Sequence, residues 1–356
     1  MNFTNVRVIT VLELRQRVRS SRWKFTALAL FVLVSAIVFG SLYVTTASNG
    51  SYEDWSPVLL TTVLFIVLFV GLIGAPALSG ASINGDRRDA TLAVVQATPI
   101  SGWELALGKL LGAWLASLTF IVVSLPYLIW GIATAPNSVH SSILAIVVLA
   151  VALGCYCAMG LGFSSITSRP TGSTMLTIAT VFFFLLGLPA IFGLAMPSVQ
   201  RSHEVLTAHE EWDWNEAAHD PDYRPVCTDR METRNFHHTE NTWWLLAPNP
   251  LLMIFDAQSV GSSRGPGGDY GIVLDGARIV SEVRSGPVIE GYPCNKMYRS
   301  YTEDDSYYER RGDQYVGHSW YWGLLATGLV GGLGFVTAAR RLQVPVATMS
   351  RGMRIA

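Results

Sequence analysis

The 356-residue sequence is 50% hydrophobic and only 14% charged, with a formal net charge of −1 at pH 7. Soluble globular chains carry about 25% charged residues, so the composition excludes an ordinary soluble protein, and we expect no nucleic-acid partner. Stretches of twenty or more residues without Asp, Glu, Lys or Arg occur at 25–44, 58–81, 110–132, 143–163, 175–196 and 320–339. A helix of about 20 residues crosses the hydrocarbon core, so we predict six transmembrane helices.

The charges flanking these stretches predict their orientation. Residues 1–24 are rich in arginine and read either as an elbow helix at the inner membrane surface or, equally, as a plain basic flank. Lys and Arg outside segment 197–319 all fall on one side of the predicted helices. By the positive-inside rule both termini are cytoplasmic, including a tail at 340–356. Spans one to five and their connections occupy 25–196, and the sixth span occupies 320–339.

The inner segment 84–109, between the second and third stretches, reads as helix, break, helix. The turn residues at 84–86 predict a new helix starting there, with Asp86 and Asp89 favoured by its N-terminal dipole. Thr98 and Pro99 would end that helix, because proline cannot continue the hydrogen-bond ladder. Ser101 and Glu104 form a capping-box pattern that starts the next helix at Gly102. A short surface helix of this kind would suit a socket on a soluble partner.

Segment 197–319 is predicted to be a small extracytoplasmic α+β domain. Its apolar part at 242–257 is too short and too broken by proline to span a membrane. Alternation around Asp275-Gly276 at 271–280 predicts a β-hairpin. Cys227 and Cys294 lie on the oxidising side of the membrane, which predicts a disulfide.

Histidines in this segment do not complete a known metal motif. "HEVLTAH" resembles the zinc-protease pattern H-E-x-x-H but has Thr207 where the second histidine is required. Five histidines with nearby acids could still hold a metal loosely, although solvated surface histidines are the favoured interpretation; they are His203, His209, His219, His237 and His238. No catalytic or metal-binding residue is therefore assigned. Similarly, "GWELALGKL" misses the phosphate-loop spacing and its hydroxyl, so no nucleotide site is predicted in this chain.

The segment "DRRDATLAVVQATPISGWELALGKLLGAW" resembles the signature of ABC type-2 transporter permeases, the transmembrane subunits of bacterial ABC exporters. The six-span plan and the arginine-rich N-terminus also fit that family. The resemblance implies that residues 86–101 are a coupling helix that docks into a separate ATPase subunit. The residues it assigns to ATPase coupling are Asp86, Arg87, Arg88, Asp89, Thr91, Leu92, Gln96, Thr98, Pro99, Ile100, Ser101 and Glu104.

By this resemblance the chain is no enzyme and binds no cofactor itself, since ATP and magnesium would lie in the ATPase. The expected partners are that ATPase, a second identical or related permease subunit, and membrane lipid of the bacterial plasma membrane. The apolar stretches hold no ionisable side chain, which argues against an ion-coupled pump and favours a hydrophobic or amphiphilic substrate such as a lipid, drug, peptide or envelope precursor. The alternative is a membrane-anchored sensor or assembly factor whose outer domain binds a ligand or partner.

Overall fold

The computed structural model describes residues 2–89, 100–211, 226–261, 272–291, 294 and 311–343. Within them the chain is an α-helical polytopic membrane protein with a small two-stranded sheet. In chain order the helices are α1 (Phe3–Arg19), α2 (Ser21–Ala47), α3 (Tyr52–Trp55), α4 (Leu59–Gly80), α5 (Ser82–Arg88), α6 (Gly102–Ser117), α7 (Thr119–Val123), α8 (Leu125–Thr134), α9 (Val139–Ile166), α10 (Pro170–Phe182), α11 (Leu188–Ala195), α12 (Pro250–Gln258), α13 (Ile272–Ser285) and α14 (Trp320–Arg341). The strands are β1 (Gln200–Glu211) and β2 (Val226–His237).

Six helical segments are long and apolar enough to cross a membrane, which confirms the predicted number. They are Trp23–Ala47, Tyr52–Arg88, Gly102–Val123, Val139–Ile166, Pro170–Val199 and Trp320–Arg341. The third span ends at Val123, and Ser124 separates it from the short helix α8, which contains Pro126. The fifth contains a π-helical turn at Phe183–Gly187 just before Pro189. Proline and π-type turns are common causes of such irregularities in long helices.

Helix α9 lies at the centre of the bundle, where it packs against α4 and α14. Its side chains Leu149, Leu153 and Tyr156 are fully buried. Glycine allows the close distance between α9 and α14. A Cβ built on Gly162 of α9 would lie only 2.5 Å from the backbone Cα of Gly334 on α14. Small residues allow membrane helices to approach this closely and to gain van der Waals contact.

Strands β1 and β2 form an antiparallel hairpin that begins with the pair Gln200 and His237. The predicted disulfide between Cys227 and Cys294 is present, and it joins β2 to the chain that follows α13. The α+β character of this segment is therefore confirmed. We refer to the end of the molecule that carries this hairpin as the hairpin end.

The prediction of a hairpin at 271–280 is wrong, because residues 272–280 lie in helix α13. Its buried residues Gly276, Ala277, Val280 and Ser281 recur at helical spacing rather than on alternate positions. Gly276 fits beneath the ring of Phe255, where a Cβ would approach the ring to 2.5 Å. Tertiary packing therefore outweighs the turn preference of the Asp-Gly pair.

The apolar segment 242–257 does not span, in agreement with the prediction. It forms a 3₁₀ turn, Trp243–Leu245, and then α12, which packs mainly against the fourth and sixth spans and also touches the second and fifth. Asp256 is 1% exposed and accepts backbone hydrogen bonds from Gly317, Ser319 and Trp320 at 2.6–2.7 Å. Burial raises the pKa of this carboxyl, and the backbone donors oppose the shift. These bonds fix the start of the sixth span.

Candidate coupling site at the basic end

Four charged side chains meet where helices α1, α5 and α6 converge. We call Glu13, Arg17, Asp86 and Lys109 the charge cluster, and the end of the bundle that carries it the basic end. The Lys109 side chain is only 4% exposed, and its Nζ lies 2.7 Å from Glu13 Oε1 and 2.5 Å from Asp86 Oδ2. One buried ammonium group thus binds carboxylates from two other helices.

Arg17 completes the charge balance of the cluster. Its guanidinium lies 3.4 Å from Glu13 Oε2 and donates a hydrogen bond of 3.1 Å to the backbone carbonyl of Leu78. Two cations therefore face two anions in a partly buried site. Removing one member of such a set leaves a charge without compensation, which typically costs 3–5 kcal/mol.

Glycine allows α1 to lie close enough to α6 for these contacts. A Cβ on Gly108 would approach Ile9 Cβ to 2.7 Å, and a Cβ on Gly112 would approach Glu13 Cβ to the same distance. Ile9 also joins a small buried core with Ile83 and Leu105. The elbow helix predicted from the sequence is thus a helix, Phe3–Arg19, whose buried side packs on the third span.

We call residues 86–101, the predicted coupling helix, the coupling segment; Asp86 lies at its first edge. Glu104 follows its second edge and links it to α1. It caps α6 by accepting the Ser101 N–H at 3.2 Å, while Ser101 Oγ accepts the Glu104 N–H, which confirms the predicted capping box. The same carboxylate accepts the Asn2 N–H at 2.5 Å and the Asn5 side-chain amide at 3.1 Å. Helix α1 is therefore bonded at both edges of the coupling segment. At the first edge, Lys109 joins Glu13 of α1 to Asp86; at the second, Glu104 accepts hydrogen bonds from Asn2 and Asn5.

The predicted turn and helix start at 84–86 are wrong. These residues lie inside α5, which almost continues α4, so Asp86 sits in the last helical turn and Asp89 is the C-cap. Ser164 Oγ accepts the N–H groups of Ile83 and Asn84 at 3.1 and 3.2 Å, which satisfies donors freed by the irregularity between α4 and α5. The negative end of the helix dipole disfavours a carboxylate such as Asp86 in the last turn. The ion pair between Asp86 and the Lys109 ammonium group offsets this repulsion.

The remaining predicted coupling residues fall into two groups. Three of these residues lie within the described part of the chain. Arg87 donates to the Ser165 carbonyl at 3.3 Å, and Arg88 pairs with Asp89 at the exposed surface. Ile100 packs against the small buried core that contains Ile9, Ile83 and Leu105. The others lie outside the described residues: Thr91, Leu92, Gln96, Thr98 and Pro99.

Sequence reasoning missed Glu13, Arg17 and Lys109 as a connected set. Glu13 is the only acidic residue in 1–24, and it stands four residues before Arg17, which is the spacing of a helical ion pair. That signal points to the pair within α1. It does not point to Lys109, which is 96 residues away in the sequence.

A comparison with protein families identifies the membrane part of the chain. Residues 7–213, more than half of the sequence, match the family described as ABC-2 family transporter protein. No curated protein matches the chain. The matched region begins in α1, contains the charge cluster and the first five spans, and ends just beyond β1. The chain therefore belongs to the ABC-2 family of transporter proteins, as a multi-pass membrane component of an ABC transporter system.

Proposed function

We propose that this chain is the permease subunit of an ATP-driven exporter, with its basic end in the cytoplasm and a separate ATPase bound at residues 86–101. The observation that carries the proposal is that both edges of this segment are attached to helices α1 and α6. Asp86 binds Lys109 of α6 at the first edge, and Ser101 and Glu104 form the cap of α6 at the second. The ATPase would hold ATP and magnesium, and this chain would contribute the moving membrane helices.

The connections favour transmission of a mechanical force. The second span and α5 form one nearly continuous helical segment, Tyr52–Arg88, which leads directly to the first edge of the coupling segment. The third span starts at Gly102, immediately after the second edge. A displacement of the segment would therefore pass into two membrane helices without an intervening flexible loop. Through Lys109 and Glu104, helix α1 would move with them.

The proposed cargo is hydrophobic or amphiphilic: a lipid, drug, peptide or cell-envelope precursor. Its support is the apolar character of all six spans, whose central stretches hold no ionisable group for an ion or a charged solute. We further propose pairing with a second permease subunit, identical or related. Met175, Leu186 and Leu194 on the fifth span are 68%, 63% and 82% exposed, so this helix has apolar surface available for a neighbour or for lipid.

Charge reversal at the coupling segment tests the proposal. We expect the wild-type chain to copurify with an ATPase and to form a complex that hydrolyses ATP in lipid nanodiscs. The variant Arg87→Glu/Arg88→Glu should lose both the ATPase and this activity. Arg340→Glu/Arg341→Glu is the matched control, because it reverses two adjacent arginines at the C-terminal end of α14. It should retain the ATPase.

Two outcomes would contradict the proposal. One is an ATPase that binds the Arg87→Glu/Arg88→Glu variant as tightly as the wild type. The other is a kinase or protease, rather than an ATPase, as the copurifying partner, which would favour the sensor or assembly function.

A further inference from the structure

We propose that His203 and His238, at the hairpin end, form a binding site for a divalent transition-metal ion of the Cu²⁺, Ni²⁺ and Zn²⁺ class. The two residues are 35 positions apart, and the hairpin brings their rings together with Nε2 to Nε2 at 3.0 Å. Imidazole nitrogen is a preferred ligand for these ions. The site lies outside the proposed coupling segment and does not depend on it.

Glu240 sets the tautomer of the His238 ring. Its carboxylate oxygen lies 2.7 Å from His238 Nδ1, and a carboxylate only accepts, so Nδ1 carries the hydrogen. In the neutral ring, Nε2 then presents a lone pair toward His203, whose Nε2–H donates to it in the absence of an ion. A bound ion would replace that hydrogen, which would move through solvent to Nδ1 of His203. A histidine whose second nitrogen donates to a carboxylate is the usual arrangement behind a metal-ligating imidazole, where the carboxylate also strengthens the ligand.

The Nε2 atoms lie 3.0 Å apart and the ring centroids 5.2 Å apart, so the two rings meet nearly head-on, as in a hydrogen bond. Two nitrogens that each lie about 2.1 Å from a metal and subtend a right angle are about 3.0 Å apart, as in octahedral or square-planar coordination. A tetrahedral Zn²⁺ site needs a separation of about 3.4 Å, which the rings reach by a small outward movement. A shared ion of either geometry therefore requires each ring to turn until its lone pair points away from the Nε2–Nε2 line, while the distance between the nitrogens changes by about 0.4 Å or less.

The surrounding backbone holds both rings. The N–H of His238 donates to the Val199 carbonyl at 2.9 Å, and the neighbouring Thr239 hydroxyl donates to the Val283 carbonyl on α13 at 2.8 Å. The His203 ring packs edge-on against Phe236 with centroids 5.9 Å apart. Both histidines are partly exposed, so an ion can enter from solvent.

His209, which completes the "HEVLTAH" pattern, cannot share the ion. It lies on the same strand, six residues from His203, and therefore about 20 Å away along extended backbone. Glu240 approaches His238 from the opposite nitrogen, and the described residues contain no cluster of three ligand-type side chains that could hold a metal. Water would fill the remaining positions, so we expect an exchangeable ion with affinity following the order Cu²⁺ above Ni²⁺.

The test is a Cu²⁺ titration of the full-length chain, purified in detergent without a polyhistidine tag. Calorimetry should give one site, and electron paramagnetic resonance should resolve coupling to two nitrogens. His203→Gln and His238→Gln should each abolish this site, whereas His209→Gln should retain it. Glu240→Gln should keep the stoichiometry and weaken binding about ten-fold or more, since loss of such a carboxylate typically costs 10–100-fold.

A second measurement on the wild-type chain covers the case in which a histidine variant does not fold. Bound Cu²⁺ should protect His203 and His238, but not His209, from imidazole acylation mapped by mass spectrometry. The proposal is overturned if His203→Gln binds Cu²⁺ like the wild type, or if the wild-type rings are acylated equally with and without the ion. In that event the pair would be only a hydrogen bond between two rings.

Discussion

Lys109 on the third span binds Glu13 on the N-terminal helix across 2.7 Å, although 96 residues separate them in the sequence. Because Lys109 also binds Asp86 at the first edge of the coupling segment, one buried side chain joins three helices of the basic end. The ammonium group is 4% exposed and so is little screened by solvent.

The first prediction concerns this ammonium group. Lys109→Met should lower the free energy of unfolding by about 2–3 kcal/mol, because Asp86 would lose its cation and Glu13 would keep only its longer pair with Arg17. Chemical denaturation in detergent measures the change. Arg88→Met is the control, since its pair with Asp89 is exposed and should contribute about 0–1 kcal/mol. Equal effects of the two substitutions would contradict a special role for the cluster.

The second prediction concerns the contact between α9 and α14. Gly162→Ala should destabilise the chain by about 1–3 kcal/mol, because the new methyl group meets the Gly334 backbone, which cannot rotate away. Gly332→Ala in the middle of α14 is the matched control, because no atom lies within 4 Å of its added Cβ. It should be neutral or stabilising by up to about 1 kcal/mol. Thermal melting of both variants measures the difference, and equal melting temperatures would contradict this packing.

The third prediction concerns the disulfide. Cys227 and Cys294 close a loop with a sequence separation of 67, and the chain-entropy model gives about 4 kcal/mol for a loop of this length. Cys227→Ser should therefore lower the stability of the hairpin end, as measured by hydrogen exchange in β1 and β2. Cys155→Ser, in the fourth span, should leave that exchange unchanged. Unaltered exchange in Cys227→Ser would indicate that the hairpin is held by other contacts.

The fourth prediction concerns Asn249, which both caps α12 and reaches the irregular turn in the fifth span. Its side-chain oxygen accepts the Leu251 N–H at 3.0 Å, and its amide donates to the Leu185 carbonyl at 2.9 Å. Asn249→Ala should cost about 2–4 kcal/mol, as the sum of a lost cap and an unsatisfied buried carbonyl.

Asn249→Ser separates these two contributions. Serine keeps a neutral capping oxygen but is too short to reach the Leu185 carbonyl, so it should lose less stability than alanine. Denaturation in detergent measures both variants. An Asn249→Ala chain as stable as the wild type would show that α12 needs neither contact.

Patterns within one segment were enough to predict several features. Six apolar stretches require helices because backbone groups in lipid must bond within their own segment. Ser101 and Glu104 form the predicted capping box because its partners are three residues apart. Cys227 and Cys294 were the only cysteines in their segment, so their pairing needed no knowledge of the fold.

What the amino-acid order alone determined was therefore the membrane-spanning plan, the distribution of charge and the local caps, all of which depend on neighbours in sequence. Tertiary structure decided the union of Lys109 with Glu13, the helix at 272–285 in place of a hairpin, and the meeting of His203 with His238. These features arise from contacts between residues far apart in the chain. Burial and charge compensation there outweigh local preference, and neither can be evaluated until the helices are packed.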